Sequence, residues 1–318
     1  MTTVLPLERF RLSRLRLIVE APEGWELPEF AGNTLRGGFG YALRAACCVA
    51  RGRQCPECLL RGRCLYARTF EAQRPAGADL YRNMTAVPRP FVLEPPLARS
   101  LPPGGRAEFG LVLVGEAMSA LPYFIYALTE LGRLGVGQRR SPYLLCAAEG
   151  WGLAGWQPVY DGGREVLLGE PPTVGQAEIA ALAAQHRGQG QAALHLLTPL
   201  RLKFAQHLAE GAEFHILARN LLRRVSQLGY FHCGQALQVD FRGLITAAQQ
   251  VRIAAADLRW HDLQRFSGRQ QAAMRLGGLL GRVVYAGDLA PWWELLALGE
   301  LVHAGKNTTF GLGQYRLE

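Results

Sequence analysis

The chain has 318 residues, 49% of them apolar by type, a formal charge of +9 and a pI near 9.5. That length suits two domains of ordinary size. No apolar run reaches the length of a membrane span, and the start lacks a basic region followed by an apolar stretch, so a cytosolic chain with no membrane partner is expected. The excess charge favours an anionic partner, nucleic acid first; an arginine-rich composition with solvated charges is the competing reading. Lysine occurs only at Lys203 and Lys306, so the charge is nearly all guanidinium, which suits bidentate phosphate contacts and stacking on bases.

In chain order, residues 10–21 alternate apolar and polar as a half-buried strand does. A helix follows, capped by Asn33 or Thr34, with Leu35, Phe39, Leu43 and Cys47 on one face. Glycines in its first turns weaken it, and either a ligand or tight packing on a sheet accounts for them. Arg36, Tyr41 and Arg44 lie on this helix. Strands are expected at 89–95 and 106–115, a helix at 121–134 and a strand at 140–149, giving the order β-α-β-β-α-β. Residues 151–190 form a Gly- and Pro-rich connector with a hairpin near Asp161-Gly162-Gly163 and a short helix near 175–185. The order then repeats: strand 192–202, helix 213–228 with Arg219, Arg223 and Arg224 along one side, strands 251–260 and 272–285, helix 291–301 and strand 310–317. The expectation is therefore an α+β chain of two tandem ferredoxin-like domains, 1–150 and 191–318, joined by the connector.

Cys48, Cys55, Cys58 and Cys64 fall in a C-x6-C-x2-C-x5-C pattern within an insertion at about 47–70, and Cys47 could replace Cys48. In a cytosolic chain such spacing reads as a closed four-thiolate metal site. Structural zinc is the leading assignment. A [4Fe–4S] cluster is the alternative, since the spacing also matches the cluster motif of endonuclease III-type DNA glycosylases.

The last helix and strand flank Gly305-Lys306-Asn307-Thr308-Thr309-Phe310-Gly311-Leu312-Gly313, a glycine-rich loop with donors suited to phosphate, although such a loop is also an ordinary turn. It is neither a P-loop nor a dinucleotide fingerprint. All seven histidines follow residue 185; His303, at the loop entrance, is either catalytic or a helix cap. The segment from Trp260 to Gln270, with Arg265 and Arg269, mixes aromatic and cationic groups as a single-stranded RNA contact does, or as a plain β-β loop can.

These residues together resemble the RAMP superfamily of CRISPR-associated proteins, and more narrowly the endoribonucleases that process precursor CRISPR RNA. The likeness is carried by Leu197 to Lys203, Arg265-x-Ser267-x-Arg269-Gln270, Gly277 to Gly281, His303 to Gly313, and Gly32-x-x-Leu35-Arg36-Gly37-x-Phe39-Gly40 with the cysteine-bearing insertion. The resemblance implies cleavage of the repeat without a catalytic metal, by attack of a ribose 2′-OH, leaving a 2′,3′-cyclic phosphate and a 5′-OH. It implies repeat RNA, crRNA and other effector subunits as partners. It carries RNA binding to Gly305, Lys306, Gly311 and Gly313, with Asn307, Arg44, Arg139, Arg140, Arg223, Arg265 and Arg269 as further contacts. Many relatives place a catalytic histidine in or near the first helix, where this chain has none. Arg36, Tyr41, His303 and Lys306 are the expected catalytic set, and a non-catalytic crRNA-binding subunit is the alternative.

Overall fold

The computed structural model describes residues 5–50, 54–75, 77–84, 87–267 and 272–318, without the side chains of 264–267 and 272–275. Contacts divide it into two units. One comprises Phe10–Thr173 with Gln227–Gln235. The other comprises the N-terminal nine residues, Val174–Ser226 and Ala236–Glu318.

The unit built on the first half contains β1 (Leu12–Ala21), α1 (Gly32–Cys47), α2 (Leu65–Thr69), β2 (Phe91–Glu94), β3 (Gly105–Val114), α3 (Leu121–Leu134), β4 (Leu144–Gly152) and β5 (Gly155–Asp161). Its antiparallel sheet runs β2-β3-β1-β4-β5 and ends in a two-residue strand, Val166–Leu167. The first four give the ferredoxin-like order, in which the first and third strands are central. The alternation of β1 explains its place: Leu15, Leu17 and Val19 enter the core with α1 and α3, while Arg14 and Arg16 take the other face. Phe39 of α1 fills the middle, with ring centroids 5.7 Å from Phe91 and 5.1 Å from Phe124. Burial of each such side chain stabilises by about 1.5–3 kcal/mol. The hairpin expected near Asp161-Gly162-Gly163 joins β5 to Val166–Leu167, and together with the β4–β5 hairpin it extends this sheet, so the unit reaches Thr173.

α1 begins one residue before Asn33, behind Ala31, so neither Asn33 nor Thr34 caps it. Two of its glycines are packing sites. A Cβ on Gly38 would come within 2.4 Å of Leu131 Cδ1, and one on Gly40 within 2.5 Å of Phe70 Cζ. Gly37 has open space beside it.

The other unit contains α4 (Gln176–Ala184), β6 (Gln191–Leu200), α5 (Phe214–His232, its last turn and a half counted with the first unit), α6 (Phe241–Ala248), β7 (Arg252–His261), β8 (Gln264–Ser267), β9 (Ala272–Arg275), β10 (Gly278–Ala286), α7 (Trp293–Val302) and β11 (Tyr315–Leu317). Its four-stranded sheet runs β7-β10-β6-β11, again the ferredoxin-like order. The strand expected over 272–285 is two: β9 pairs with β8 in a separate ribbon, and β10 joins the main sheet. The last strand is shorter than 310–317, because residues 308–310 form a turn of 3-10 helix. Tyr285 and Tyr315 anchor the core by donating buried hydroxyls to Ala212 O and Leu296 O at 2.5 and 2.6 Å.

Candidate nucleic-acid interface

The glycine-rich loop is built differently from an open cradle. α7 ends at Val302, and His303 turns the chain with a positive φ of 62°. The backbone N–H groups of Ala304, Lys306, Phe310, Gly311 and Gly313 donate to Gly313 O, Arg201 O, Asn307 O, Thr308 O and Pro199 O. Those of Lys306 and Gly313 bind the loop to the end of β6, the other three close the loop on itself, and none of the five is presented outward. Gly305, Gly311 and Gly313 all have positive φ, so the glycines answer a backbone demand first. Thr308, Thr309, Phe310 and Leu312 are buried. The exposed tip is Lys306, flanked by half-buried Gly305 and Asn307.

His303, expected to be either catalytic or a helix cap, is the C-cap of α7. It is 0% exposed and its Nδ1 lies 3.3 Å from Leu312 O, inside the loop. A fully buried imidazole tied to a carbonyl meets no phosphate in this arrangement.

Lys306 lies in a cluster of cations. Burial first, then the charges of Lys203, Arg201 and Arg223, hold its amine below the usual lysine range. The two lysines of the chain are therefore neighbours, although 103 positions separate Lys203 from Lys306 in sequence. Asn220 of α5 fixes the lysine-bearing strand, donating to Lys203 O at 3.1 Å and accepting from Lys203 N at 3.3 Å. Arg223, one turn on along α5, is exposed and supplies the third side chain. Arg219 places its guanidinium 5.8 Å from the Phe204 ring. Arg201 is mostly buried, donates to Gly277 O, and has no partner for its Nε among the described residues.

Arg224 departs from the expected arginine side. It points inward, donates from Nε to Val302 O at 2.7 Å, and has no partner for Nη2 among the described residues. Burial lowers its pKa to about 9. It supports the end of α7, and only Arg219 and Arg223 of the three serve the outer face.

In the other unit, α1 offers Arg36, Tyr41 and Arg44. Tyr41 is 69% exposed, the most open ring in this helix. Arg36 stands over the Phe70 ring at 4.4 Å, and Arg44 faces the Tyr66 ring at 5.9 Å. Arg139 and Arg140 are exposed in the turn after α3.

A profile described as AF_1859_N, N-terminal domain, matches residues 10–172, about half of the chain. A profile described as CRISPR-associated endoribonuclease Cas6 matches residues 194–315, which hold the glycine loop and its cations. Residues 194–315 of the chain form a Cas6-family domain. Members of that family are endoribonucleases of CRISPR RNA processing. An uncharacterized protein of Archaeoglobus fulgidus is 26% identical over 317 residues, covering 96% of this chain and 98% of its own. Among solved structures, a Cas6 product complex shares the fold at TM-score 0.59 with 17% identity, covering 96% of this chain and 99% of its own. Thermus thermophilus Cas6 does so at TM-score 0.56 with 15% identity, covering 97% and 99%. A Cas6-RT-Cas1–Cas2 complex matches at TM-score 0.56 and 16% identity over 99% of this chain and 47% of that one.

In the unit built on the first half, the cysteines gather only in part. Cys47 and Cys48 end α1, Cys55 opens a 3-10 turn, and Cys64 immediately precedes α2. Cys47, Cys55 and Cys64 all pack against the core of the first unit. Burial, with Cys64 and Cys48 nearby, pushes the Cys47 thiol up to about 11. Interaction with the neighbouring Cys48 side chain holds the Arg44 guanidinium above its ordinary pKa. Cys58 N donates to Cys55 O at 3.3 Å. The donor set is that of a soft-metal site, yet among the described residues no three Cys, His, Asp or Glu side chains gather in a metal-holding group.

Arg265 lies on β8 with its side chain outside the described residues, and Arg269 lies outside them altogether. Missed in the sequence were Arg201 and Lys203 as members of the cation cluster, and Tyr66 and Phe70 as partners of the α1 arginines. A signal for Lys203 was present: it is one of two lysines in an arginine-rich chain.

Proposed function

We propose that this chain cuts precursor CRISPR RNA within the repeat, and retains the crRNA. The observation that supports this best is the convergence of Lys203, Arg223 and Lys306, with Arg201 beneath, at the loop of the Cas6-matching half. Clustered cations of one sign on a surface favour a polyanion, and phosphates restore the protonated state that neighbouring charges disfavour. In the reaction the 2′-OH upstream of the scissile bond loses its proton, its oxygen bonds to phosphorus, and the P–O5′ bond breaks. The departing 5′ oxygen takes up a proton, leaving a 2′,3′-cyclic phosphate. Arg36 and Arg44 of α1 are assigned to the charge that builds on the phosphorane, and Tyr41 to the proton of the attacking or departing oxygen. Lys306 binds backbone phosphate. His303 supports the loop. Repeat RNA is the partner assigned, together with CRISPR proteins of the sort found in the Cas6-RT-Cas1–Cas2 complex.

The test is a cleavage assay in EDTA with a labelled repeat RNA from the source organism's own array, beside the same RNA carrying a 2′-deoxy at the cut. One cut, independent of divalent ions and abolished by the 2′-deoxy, is expected. Tight binding with no cut overturns the nuclease and supports a crRNA-holding subunit. The observation that favours that second reading is the burial of His303 in a chain whose first 185 residues hold no histidine.

The cysteine segment is proposed to hold one structural zinc through four of its thiolates, Cys48 or Cys47 with Cys55, Cys58 and Cys64, the alternative being a [4Fe–4S] cluster. The support is the spacing, together with the packing of Cys47, Cys55 and Cys64 against one core. Elemental analysis of anaerobically purified protein is expected to give one zinc per chain, lost in Cys55→Ser and Cys64→Ser. A brown preparation with iron and sulfide establishes the cluster instead, and no stoichiometric metal overturns both.

A further inference from the structure

The two arginines of α1 are not independent surface charges. Arg36, Gly40 and Arg44 are spaced by four, so they form one stripe along the helix. The stacked rings of Tyr66 and Phe70, 5.4 Å apart and 10° from parallel, lie along that stripe. Gly40 is where the helix meets the ring, since a Cβ there would run into Phe70 Cζ at 2.5 Å. Arg36 and Arg44 sit one turn to either side, each over one ring, at 4.4 and 5.9 Å. Arg89 closes the group: it donates from Nε to Phe70 O at 2.6 Å and lies 6.0 Å from the same ring. Three guanidinium groups thus share one aromatic pair.

We infer that Tyr66 and Phe70 are positioning residues, an aromatic shelf that orients Arg36 and Arg44 toward the RNA. The inference rests on the reading above that these arginines act on the scissile phosphate. A free arginine side chain has many rotamers to lose on binding a phosphate. A guanidinium held face-on by a ring has lost much of that freedom already, while its in-plane N–H donors stay directed at the edge. The shelf also offsets the mutual repulsion of Arg36, Arg44 and Arg89 through the negative faces of the rings. It belongs to the segment that begins at Cys64, immediately before α2, so the cysteine-bearing segment is coupled to the helix that carries the candidate chemistry.

The experiment is a double-mutant cycle between Phe70 and Arg36, read by single-turnover cleavage of repeat RNA and by RNA affinity. Phe70→Leu is expected to slow cleavage by about 10-fold while weakening binding less, from the loss of one desolvated cation–π contact. Tyr66→Phe, which keeps the ring face under Arg44, is expected to leave the rate within about 2-fold of wild type. In an Arg36→Ala background, Phe70→Leu is expected to add less than about 2-fold, because the two act as one unit. Circular dichroism and Tm of every variant establish that the fold is kept, and Tyr66→Leu against Arg44→Ala repeats the cycle should Phe70→Leu unfold. Independent multiplication of the two effects overturns the shelf. An Arg36→Ala variant that cuts at the wild-type rate overturns the reading of α1, and the shelf as a positioning device with it. A direct readout separates the two failures: arginine side-chain NMR is expected to show the Hε signal of Arg36 shifted by the Phe70 ring in wild type and not in Phe70→Leu. Absence of that shift in wild type overturns the shelf whatever the cleavage rates.

Discussion

Removing the cation cluster at the glycine loop gives the sharpest test of where RNA is held. The variant Lys203→Ala/Arg223→Ala/Lys306→Ala takes away three side chains and leaves buried Arg201 in place. For a single strand, each lost phosphate contact makes the slope of log K against log[salt] shallower by about 0.7, so three contacts change it by about 2. Carried from 1 M to 0.1 M salt, that difference is roughly 100-fold in affinity. Arg223 and Lys306 are exposed and Lys203 half-buried, so the fold itself should change by about 0.5 kcal/mol or less per site. The assay is fluorescence anisotropy of labelled repeat RNA across a salt series. The control is Arg187→Ala/Arg242→Ala/Arg252→Ala, which removes three exposed charges elsewhere in the same unit. Equal slopes for the cluster variant and the control would refute the argument, since the charge would then act through the net balance of the protein and not through a site.

Three further outcomes follow from the same geometry. Because burial and three neighbouring cations lower the pKa of Lys306, RNA affinity at fixed salt should begin to fall with rising pH before the ordinary lysine range, and Lys306→Arg should extend binding to higher pH; superimposable pH profiles of the two proteins count against it. Gly313 has a φ of +72° and a Cβ there would lie 1.8 Å from Ala304 O, so Gly313→Ala should lose at least about 2 kcal/mol of stability in denaturant titration, and a loss under about 0.5 kcal/mol would contradict the loop geometry. Buried Arg224 has its folded pKa lowered to about 9, so the unfolded chain holds more protons above that pH and stability rises with pH there. Wild type should therefore gain Tm relative to Arg224→Met as pH climbs above about 9 toward the ordinary arginine range, and parallel curves would show that the buried charge carries no such penalty.

The sequence by itself determined the plan of both units. Alternation in β1, the amphipathic spacing of α1 and α3, and the repeated order of strands and helices are local patterns, set by which side of each element meets water. The same holds for the glycine loop and for the choice of α1 as a candidate surface, since glycines and arginines at those spacings are visible without a fold. Tertiary structure alone decided which way single side chains turn. Arg223 and Arg224 are adjacent in sequence, yet one faces the loop cations and the other lies beneath α7, because a helix turns about 100° per residue and only packing says which stripe is covered. His303 reads in sequence as either catalytic or a helix cap, and only the structure shows it as the buried C-cap of α7 with its Nδ1 3.3 Å from Leu312 O. Lys203 meets Lys306, and Phe70 meets Gly40, only because β6 and α2 are carried there by sheet order and core packing. Such contacts join residues far apart in the chain, and no local pattern encodes them.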